Sequence, residues 1–282
     1  MSGAQEGGCA FITGAGSGIG RALAIRLAER NHPLALVDLS HETIEETRRL
    51  ALAAGAAAVS CHGGCDVSDA ALVDAAAQAA LAEHGSVRYV VPNAGVGFAV
   101  PLSQASLDDV RWVFGVNYFG AYHVIRALLP ELHRRTGETN VLFVSSMAGI
   151  LTPPGWHLGI YSGAKFAIHA LAQGLRDDLG EGPVWVSVVY PGMVQTNVTA
   201  NSKALRPGTG HAETDIPDEF KKEGMDPMEA ARRILAGADR GQMDIFTHPG
   251  EIYMLRAYVE RVEKGFAQSA QLVSRLQEGG GQ

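Results

Sequence analysis

The sequence predicts a doubly wound α/β fold, a parallel sheet with helices on both faces. Two observations carry this. Short apolar runs alternate with longer helical patterns at a steady rhythm, and the first run passes directly into a glycine-rich turn that opens a helix. Strand, helix, strand repeated in this way implies right-handed crossovers and hence parallel neighbours. The 282 residues, 46% hydrophobic and 19% charged, can bury one large core, and no linker-like stretch divides them. One domain is expected over 1–282, with its core over about 8–250.

The elements follow in order. Cys9 to Thr13 reads as the first strand, with a helix from about Ile19. Pro33 to Val37 precedes a helix from about His41, and Ala57 to Cys65 precedes one from about Asp69. Val87 to Pro92, a long helix from about Ser106, Asn140 to Ser145, a helix carrying Tyr161, and Val184 to Val189 continue the alternation. After Pro191 the rhythm breaks. Residues from about Gln195 to Asp226 are rich in Pro, Gly, Thr, Asn and charge, and a loop of that length in a compact domain is usually a lid. Met243 to Thr247 reads as the last strand. In the extension over about 251–282, Ile252, Leu255, Val259, Val262 and Phe266 step by three and four. Such a stripe marks one helix face, which fits packing on its own domain or contact with another subunit.

A net charge of −7 and a pI near 5.8 argue against nucleic acid or an anionic membrane as the main partner, because both reward clustered Lys and Arg. A small molecule is the expected ligand. The start, MSGAQEGG, has no basic segment followed by an apolar one, and no stretch reaches the ~20 apolar residues of a membrane span. A soluble cytoplasmic protein is expected. Three cysteines are too few for a disulfide framework. Cys61-His62-Gly63-Gly64-Cys65 has no second ligand cluster and falls where a strand is expected, so no metal is assigned to it.

The first strand runs into Thr13-Gly14-Ala15-Gly16-Ser17-Gly18-Ile19-Gly20, followed by the helical Arg21-Ala22-Leu23-Ala24. Glycines let the backbone turn sharply and approach a pyrophosphate, whose charge meets free N–H groups at the helix N-terminus. The glycines fall as T-G-x-x-x-G-x-G, because Ile19 stands where the literal G-x-G-x-x-G pattern needs its last glycine. A glycine-rich loop alone is weak evidence, but here a strand precedes it, a helix follows, and an acid closes the next strand. That acid is Asp38, eighteen positions past Gly20 in "LALVD", with Leu39 beside it. A carboxylate there accepts hydrogen bonds from a ribose 2′-OH and repels a 2′-phosphate, which favours NAD over NADP.

In "IYSGAKFAIHA", Tyr161 and Lys165 lie four positions apart on one helical face. Taken alone, the pair also fits an ordinary amphipathic helix with the ring at the core edge and the ammonium in water. Its functional reading is that a nearby cation stabilises phenolate and tunes a tyrosine for proton transfer.

With these features in place, the chain resembles the short-chain dehydrogenase/reductase family over about 8–250. The resemblance rests on TGAGSGIG, Cys65-Asp66-Val67, Asn93-Ala94-Gly95, Asn117 in "VNYFG", Ser145-Ser146 in "VLFVSS", Tyr161-Ser162-Gly163-Ala164-Lys165, and Pro191-Gly192. It implies a Rossmann fold and an NAD-dependent oxidoreductase acting between a secondary alcohol and its ketone. Tyr161 would be the acid/base, and Lys165 would lower its pKa and hold the nicotinamide ribose. Ser146 would bind the substrate oxygen, and Asn117 would bend the long helix and hold a water that joins Lys165 to solvent. Asp66 and Val67 would flank the adenine, with Asn93, Ala94 and Gly95 on the ribose side. Past Pro191 and Gly192, Val194 would line the nicotinamide and Thr196 would bind its carboxamide. Residue by residue, Asp66 also reads as a helix cap, Asn93 to Gly95 as a turn, and Thr196 as a loop residue.

The fifteen positions from Ser146 to Tyr161 exceed the commonest family spacing. The extra length falls in Thr152-Pro153-Pro154-Gly155-Trp156-His157, so Ser145 stays open as the alternative to Ser146. Phe98, Met147, Ala148, Pro154, Trp156, Met193 and Val194 would form a largely apolar substrate wall, suited to a hydrophobic alcohol or ketone. His157 could add a polar contact, and Lys203, Arg206 and His211 in the lid could reach an acidic substrate group. The family resemblance also implies a homodimer or homotetramer formed through the long helix before Pro130 and the helix of Tyr161. The alternative from another class is a non-catalytic dinucleotide-binding sensor or interaction protein.

Overall fold

The structure, a computed structural model, describes residues 7–208 and 224–279. Among them seven strands form one sheet: β1 (Cys9–Thr13), β2 (Leu34–Val37), β3 (Val59–His62), β4 (Val87–Val91), β5 (Thr139–Val144), β6 (Val184–Tyr190) and β7 (Asp244–Phe246). Their spatial order is β3-β2-β1-β4-β5-β6-β7, and every neighbouring pair is parallel. The doubly wound prediction holds. Continuous apolar strands are what a sheet covered on both faces requires, and Phe11, Ile12, Leu34, Leu36, Leu142 and Phe143 are fully buried.

Helices follow the strands. They are α1 (Gly18–Ala28), α2 (His41–Ala54), α3 (Ala70–His84), α4 (Leu107–Phe114), α5 (Gly120–Arg134), α6 (Gly159–Leu179), α7 (Val198–Leu205) and α8 (Pro227–Ala238). Leu23 and Leu27 of α1 and Ile234 and Leu235 of α8 pack with Ile12, Leu34 and Leu36 into one buried cluster. Local signals set the helix starts. Ser40 accepts the Thr43 N–H at 3.2 Å, Asp69 accepts the Ala71 N–H at 2.8 Å, and Ser106 and Asp109 form a reciprocal capping box. Asp66 is therefore not the cap of α3; it accepts from the Ser68 N–H and hydroxyl instead.

Two expectations are corrected. The long helix from Ser106 is not continuous: α4 and α5 are separated by a π turn over Gly115–Phe119, closed by the Gly120 N–H donating to the Gly115 carbonyl. The segment over about 195–226 is not all loop, because Val198–Leu205 is helical and Val194 pairs with Met225 in a parallel bridge. Residues 209–223, and His211 with them, lie outside the described residues.

The chain divides into two compact units, Met1–Thr247 and His248–Gln282. The second contains a 3₁₀ turn, Pro249–Glu251, and a helix α9, Ile252–Gly279. No described helix is long and apolar enough to cross a membrane.

Candidate active site

The order of the strands places the site. The chain reaches the β3 edge and then returns to add β4 on the far side of β1, so a crevice opens above the carboxyl ends of β1 and β4. The glycine turn leaves β1 there and Asn93 leaves β4. In the turn Gly14 has φ +62° and Gly18 φ +53°, left-handed values that a side chain disfavours. Gly16, Ile19 and Gly20 complete the passage into α1. Ser17 occupies the N-cap position of α1 without a side-chain capping bond, unlike the caps of α2, α3 and α4, so the first N–H groups of α1 are not covered by it. This cradle fits a pyrophosphate.

Asp38, at the end of β2, accepts the Gly16 N–H through Oδ2 at 2.8 Å and the Ser40 N–H through Oδ1 at 3.0 Å. Both oxygens are oriented by backbone, which fixes the carboxylate beside the turn; Leu39 next to it is exposed. Arg21 donates to the Gly16 carbonyl and to Glu46, and Thr47 donates to the Ala15 carbonyl at 3.0 Å, so the turn is held from outside. Asn93 braces the turn from the β4 side. Its amide donates to the Thr13 carbonyl at 2.8 Å, while Thr13 Oγ1 accepts the N–H groups of Asn93 and Ala94. Thr13, Arg21 and Thr47 do not stand out in the sequence as site residues. A hydroxyl at the last position of β1, ahead of the glycines, is the signal that could have found Thr13.

The second half of the crevice holds the serine, tyrosine and lysine expected to move protons. Ser145 and Ser146 leave the end of β5 and behave differently. The buried Ser145 hydroxyl donates to the Lys165 carbonyl at 2.9 Å, tying β5 to α6. Ser146 Oγ accepts the Ala148 N–H at 3.1 Å and is hydrogen-bonded toward the Tyr161 hydroxyl. Lys165 is buried and donates from Nζ to the Val144 carbonyl at 3.0 Å, with Nζ 6.0 Å from the centre of the Tyr161 ring. A side chain at Gly95 would come within 2.9 Å of Asn117 Oδ1 and 3.3 Å of Lys165 Nζ, so a glycine there leaves room for both side chains. Asn117 sits in the π turn with its amide spent on Val96, accepting the Val96 N–H at 2.8 Å and donating to its carbonyl at 2.9 Å.

The electrostatics correct one expectation. Burial raises the Tyr161 pKa above its ordinary value, and the bond with Ser146 pulls it partly back; the Lys165 ammonium is not among the causes. Burial also lowers the Lys165 pKa to about 8. Removing either group from water disfavours its charged form, and in this geometry that effect dominates.

Around this centre, Val67 is buried and its carbonyl meets His123 Nδ1 at 2.9 Å. The Pro191 carbonyl accepts the Met147 N–H at 2.9 Å, and Gly192 donates to Thr247. Met225 joins Met193 and Gln195 by backbone bonds on either side of Val194. Thr196 lies over the start of α1, its Cγ2 3.0 Å from where a Gly18 side chain would begin. Of the substrate wall, Met147 and Ala148 are buried, Trp156 and Met193 half-buried, and Pro154 and His157 exposed. Phe98 packs with Val100, Val113, Ile160 and Ala164 under the Arg206 guanidinium, whose carbon lies 5.0 Å from the ring centre. Arg206 is not poised for a substrate: it forms a buried, bidentate pair with Asp109 at 2.7 and 3.0 Å. Asp109, held by Arg206 and Ser106, has its pKa lowered to about 2. Lys203 is exposed. Cys61 and Cys65 are free, with thiol pKa values raised by burial.

A dinucleotide cradle and a Ser–Tyr–Lys cluster in one crevice define a nucleotide-dependent oxidoreductase of the α/β class. The model of the short chain dehydrogenase family matches residues 8–206, and the chain belongs to the short-chain dehydrogenase/reductase family. SadH of Mycobacterium tuberculosis, named as an oxidoreductase, is 33% identical over 241 residues, 84% of each chain. The 1-deoxy-11-beta-hydroxypentalenate dehydrogenase of Streptomyces avermitilis is 34% identical over 210 residues, 72% of this chain and 74% of that one. A short-chain dehydrogenase/reductase from Burkholderia phymatum, solved in complex with NAD, superposes with a TM-score of 0.84 at 32% identity, covering 93% of this chain and 96% of that one.

Proposed function

We propose that this oxidoreductase is NAD-linked and interconverts hydrophobic secondary alcohols and ketones, with Tyr161 as the proton-transfer group. The observation that carries the reading is the convergence of Ser146, Tyr161 and Lys165 on the crevice that Asp38 and the glycine turn close from the other side. NAD(H), when bound, supplies the hydride acceptor or donor. Asp38 would receive the ribose hydroxyls, and its charge disfavours a 2′-phosphate. The N–H groups at the start of α1 would meet the pyrophosphate, with Asp66, Val67 and Leu39 toward the adenine and Ala94, Gly95, Pro191, Gly192, Val194 and Thr196 along the nicotinamide half.

At the reacting oxygen, Ser146 holds the carbonyl or hydroxyl and Tyr161 gives or takes its proton. A phenol whose pKa burial has raised is protonated at neutral pH, which suits donation to a ketone oxygen; oxidation begins once that proton has left. Lys165, with a pKa near 8, is mainly the ammonium at neutral pH, and its bond to the Val144 carbonyl fixes its position. Met147, Trp156 and Met193 offer an apolar surface beside this group, which supports a hydrophobic substrate. The dehydrogenase name of the Streptomyces relative and the NAD held by the Burkholderia structure agree with the reading.

The family's usual oligomer, through α5 and α6, is supported by the exposure of Phe119, Tyr122 and Phe166 on those elements and the π turn before them. Three free cysteines suit a reducing cytoplasm. The test is the initial rate of NAD(H)-linked absorbance change across hydrophobic secondary alcohols and their ketones, repeated with NADP(H). The reading predicts turnover that favours NAD(H). NADH binding with no turnover across the panel would instead support a sensor.

A further inference from the structure

The loop over 63–69 joins β3 to α3 and is met by imidazoles from two different helices. At its start the His41 ring of α2 lies against the backbone: a side chain at Gly64 would begin 2.8 Å from Nε2, and one at Gly63 would collide with Nδ1. This accounts for the paired glycines of Cys61-His62-Gly63-Gly64-Cys65. Further on the bonds are local. Asp66 Oδ1 accepts the Ser68 N–H at 2.9 Å and the Ser68 hydroxyl at 2.7 Å, and the Asp66 carbonyl accepts the Asp69 N–H at 3.0 Å. The Val67 carbonyl is met instead from α5, where His123 Nδ1 lies 2.9 Å from it. A carbonyl only accepts, so Nδ1 carries the hydrogen.

Gly120, His123 and Arg126 step by three along α5 and turn one face to this loop and to α3. A side chain at Gly120 would begin 2.6 Å from Val67 Cγ2, so the glycine lets the buried Val67 seat against the helix. Arg126 pairs with Asp74 of α3 at 2.6 Å. Phe119 stacks on the His123 ring, with centres 6.3 Å apart and planes 30° from each other, which restrains its rotation. The decisive feature is a single peptide group. The Val67 carbonyl and the Ser68 N–H belong to the same planar unit, so a bond that fixes one end fixes the other. His123 holds the carbonyl end, and the N–H end orients the Asp66 carboxylate.

We propose that His123 is a positioning residue for the adenine half of the cofactor, acting through the Val67–Ser68 peptide on Asp66. The proposal rests on the reading that Asp66 and Val67 flank the adenine. Without the Nδ1–H donor this peptide is free to turn, and the carboxylate loses its fixed direction. One hydrogen bond of ordinary net strength corresponds to about a five- to tenfold change in affinity.

The test uses the full chain and measures dissociation constants for NADH by fluorescence and for 5′-AMP by displacement of NADH, together with steady-state ketone reduction. His123→Phe keeps a ring without a donor, and His123→Asn restores an N–H near the place of Nδ1. In His123→Phe the constants for AMP and NADH are both expected to rise about five- to tenfold, with the change in turnover falling on KM for NADH rather than on kcat. In His123→Asn the AMP constant is expected to return to within about twofold of wild type. A ring that only packs would be replaced by phenyl without loss of AMP affinity, and that result overturns the proposal; so does His123→Asn binding AMP no better than His123→Phe. Asp66→Ala separates the two levels. Weaker AMP binding in Asp66→Ala with none in His123→Phe overturns the role of His123 alone, whereas unchanged AMP binding in Asp66→Ala overturns the adenine placement beneath it.

Discussion

Ser145 and Ser146 are neighbours in sequence with different surroundings. Side chains alternate across a strand, so where β5 ends one hydroxyl turns toward α6 and the next toward the crevice. The Ser145 hydroxyl is committed to the Lys165 carbonyl, and Ser146 faces Tyr161. Sequence spacing leaves this choice open, because it cannot say on which residue the strand stops. We predict that Ser146→Ala lowers kcat by about 10²-fold through weaker holding of the reacting oxygen. Ser145→Ala should leave kcat near wild type and lower stability by about 1 kcal/mol, the cost of a buried hydrogen bond. Steady-state rates and urea titrations of the two variants check this, and the reverse pattern would exchange their roles. Lys165 shows the same limit of spacing arguments. Its place on the Tyr161 face was legible, but its burial and its bond to the Val144 carbonyl depend on segments distant in sequence.

At the scale of elements, strands and helix starts were legible because their signals are local. Cys9–Thr13 matches its expected bounds, and His41 begins α2 as expected, capped by Ser40. Helix α7 was not legible. Its sequence, VTANSKAL, lacks an apolar period, and distant contacts fix it: Ser202 Oγ accepts the Gly97 N–H at 2.7 Å, and Arg206 pairs with Asp109 97 positions away. The π turn was expected only as a bend at Asn117, because an extra residue in a helical turn changes hydrogen bonding without changing residue types. The buried Arg206–Asp109 pair gives an element-scale prediction. Asp109→Ala leaves a guanidinium buried without that carboxylate and removes the α4 capping box, so unfolding free energy should fall by about 3–5 kcal/mol. A loss below about 1 kcal/mol in denaturant titration would show that the pair does not anchor α7.

At the scale of the whole molecule, the alternation of strand and helix determined a parallel sheet, and its order follows from one reversal between β3 and β4. That reversal creates the crevice in which, by the proposed function, residues as distant in sequence as Gly14, Asn117 and Tyr161 would serve one site. The chain divides into its two compact units at Thr247 and His248.

The central claim is that Tyr161 transfers the proton at the reacting oxygen. Its most direct test compares Tyr161→Phe with the wild type in NADH affinity, by fluorescence titration, and in single-turnover rate with a ketone that the wild type reduces. The account predicts a dissociation constant within about threefold and a rate lower by about 10³-fold, within the usual range for loss of a positioned acid. An undiminished rate, with NADH bound normally, would contradict it.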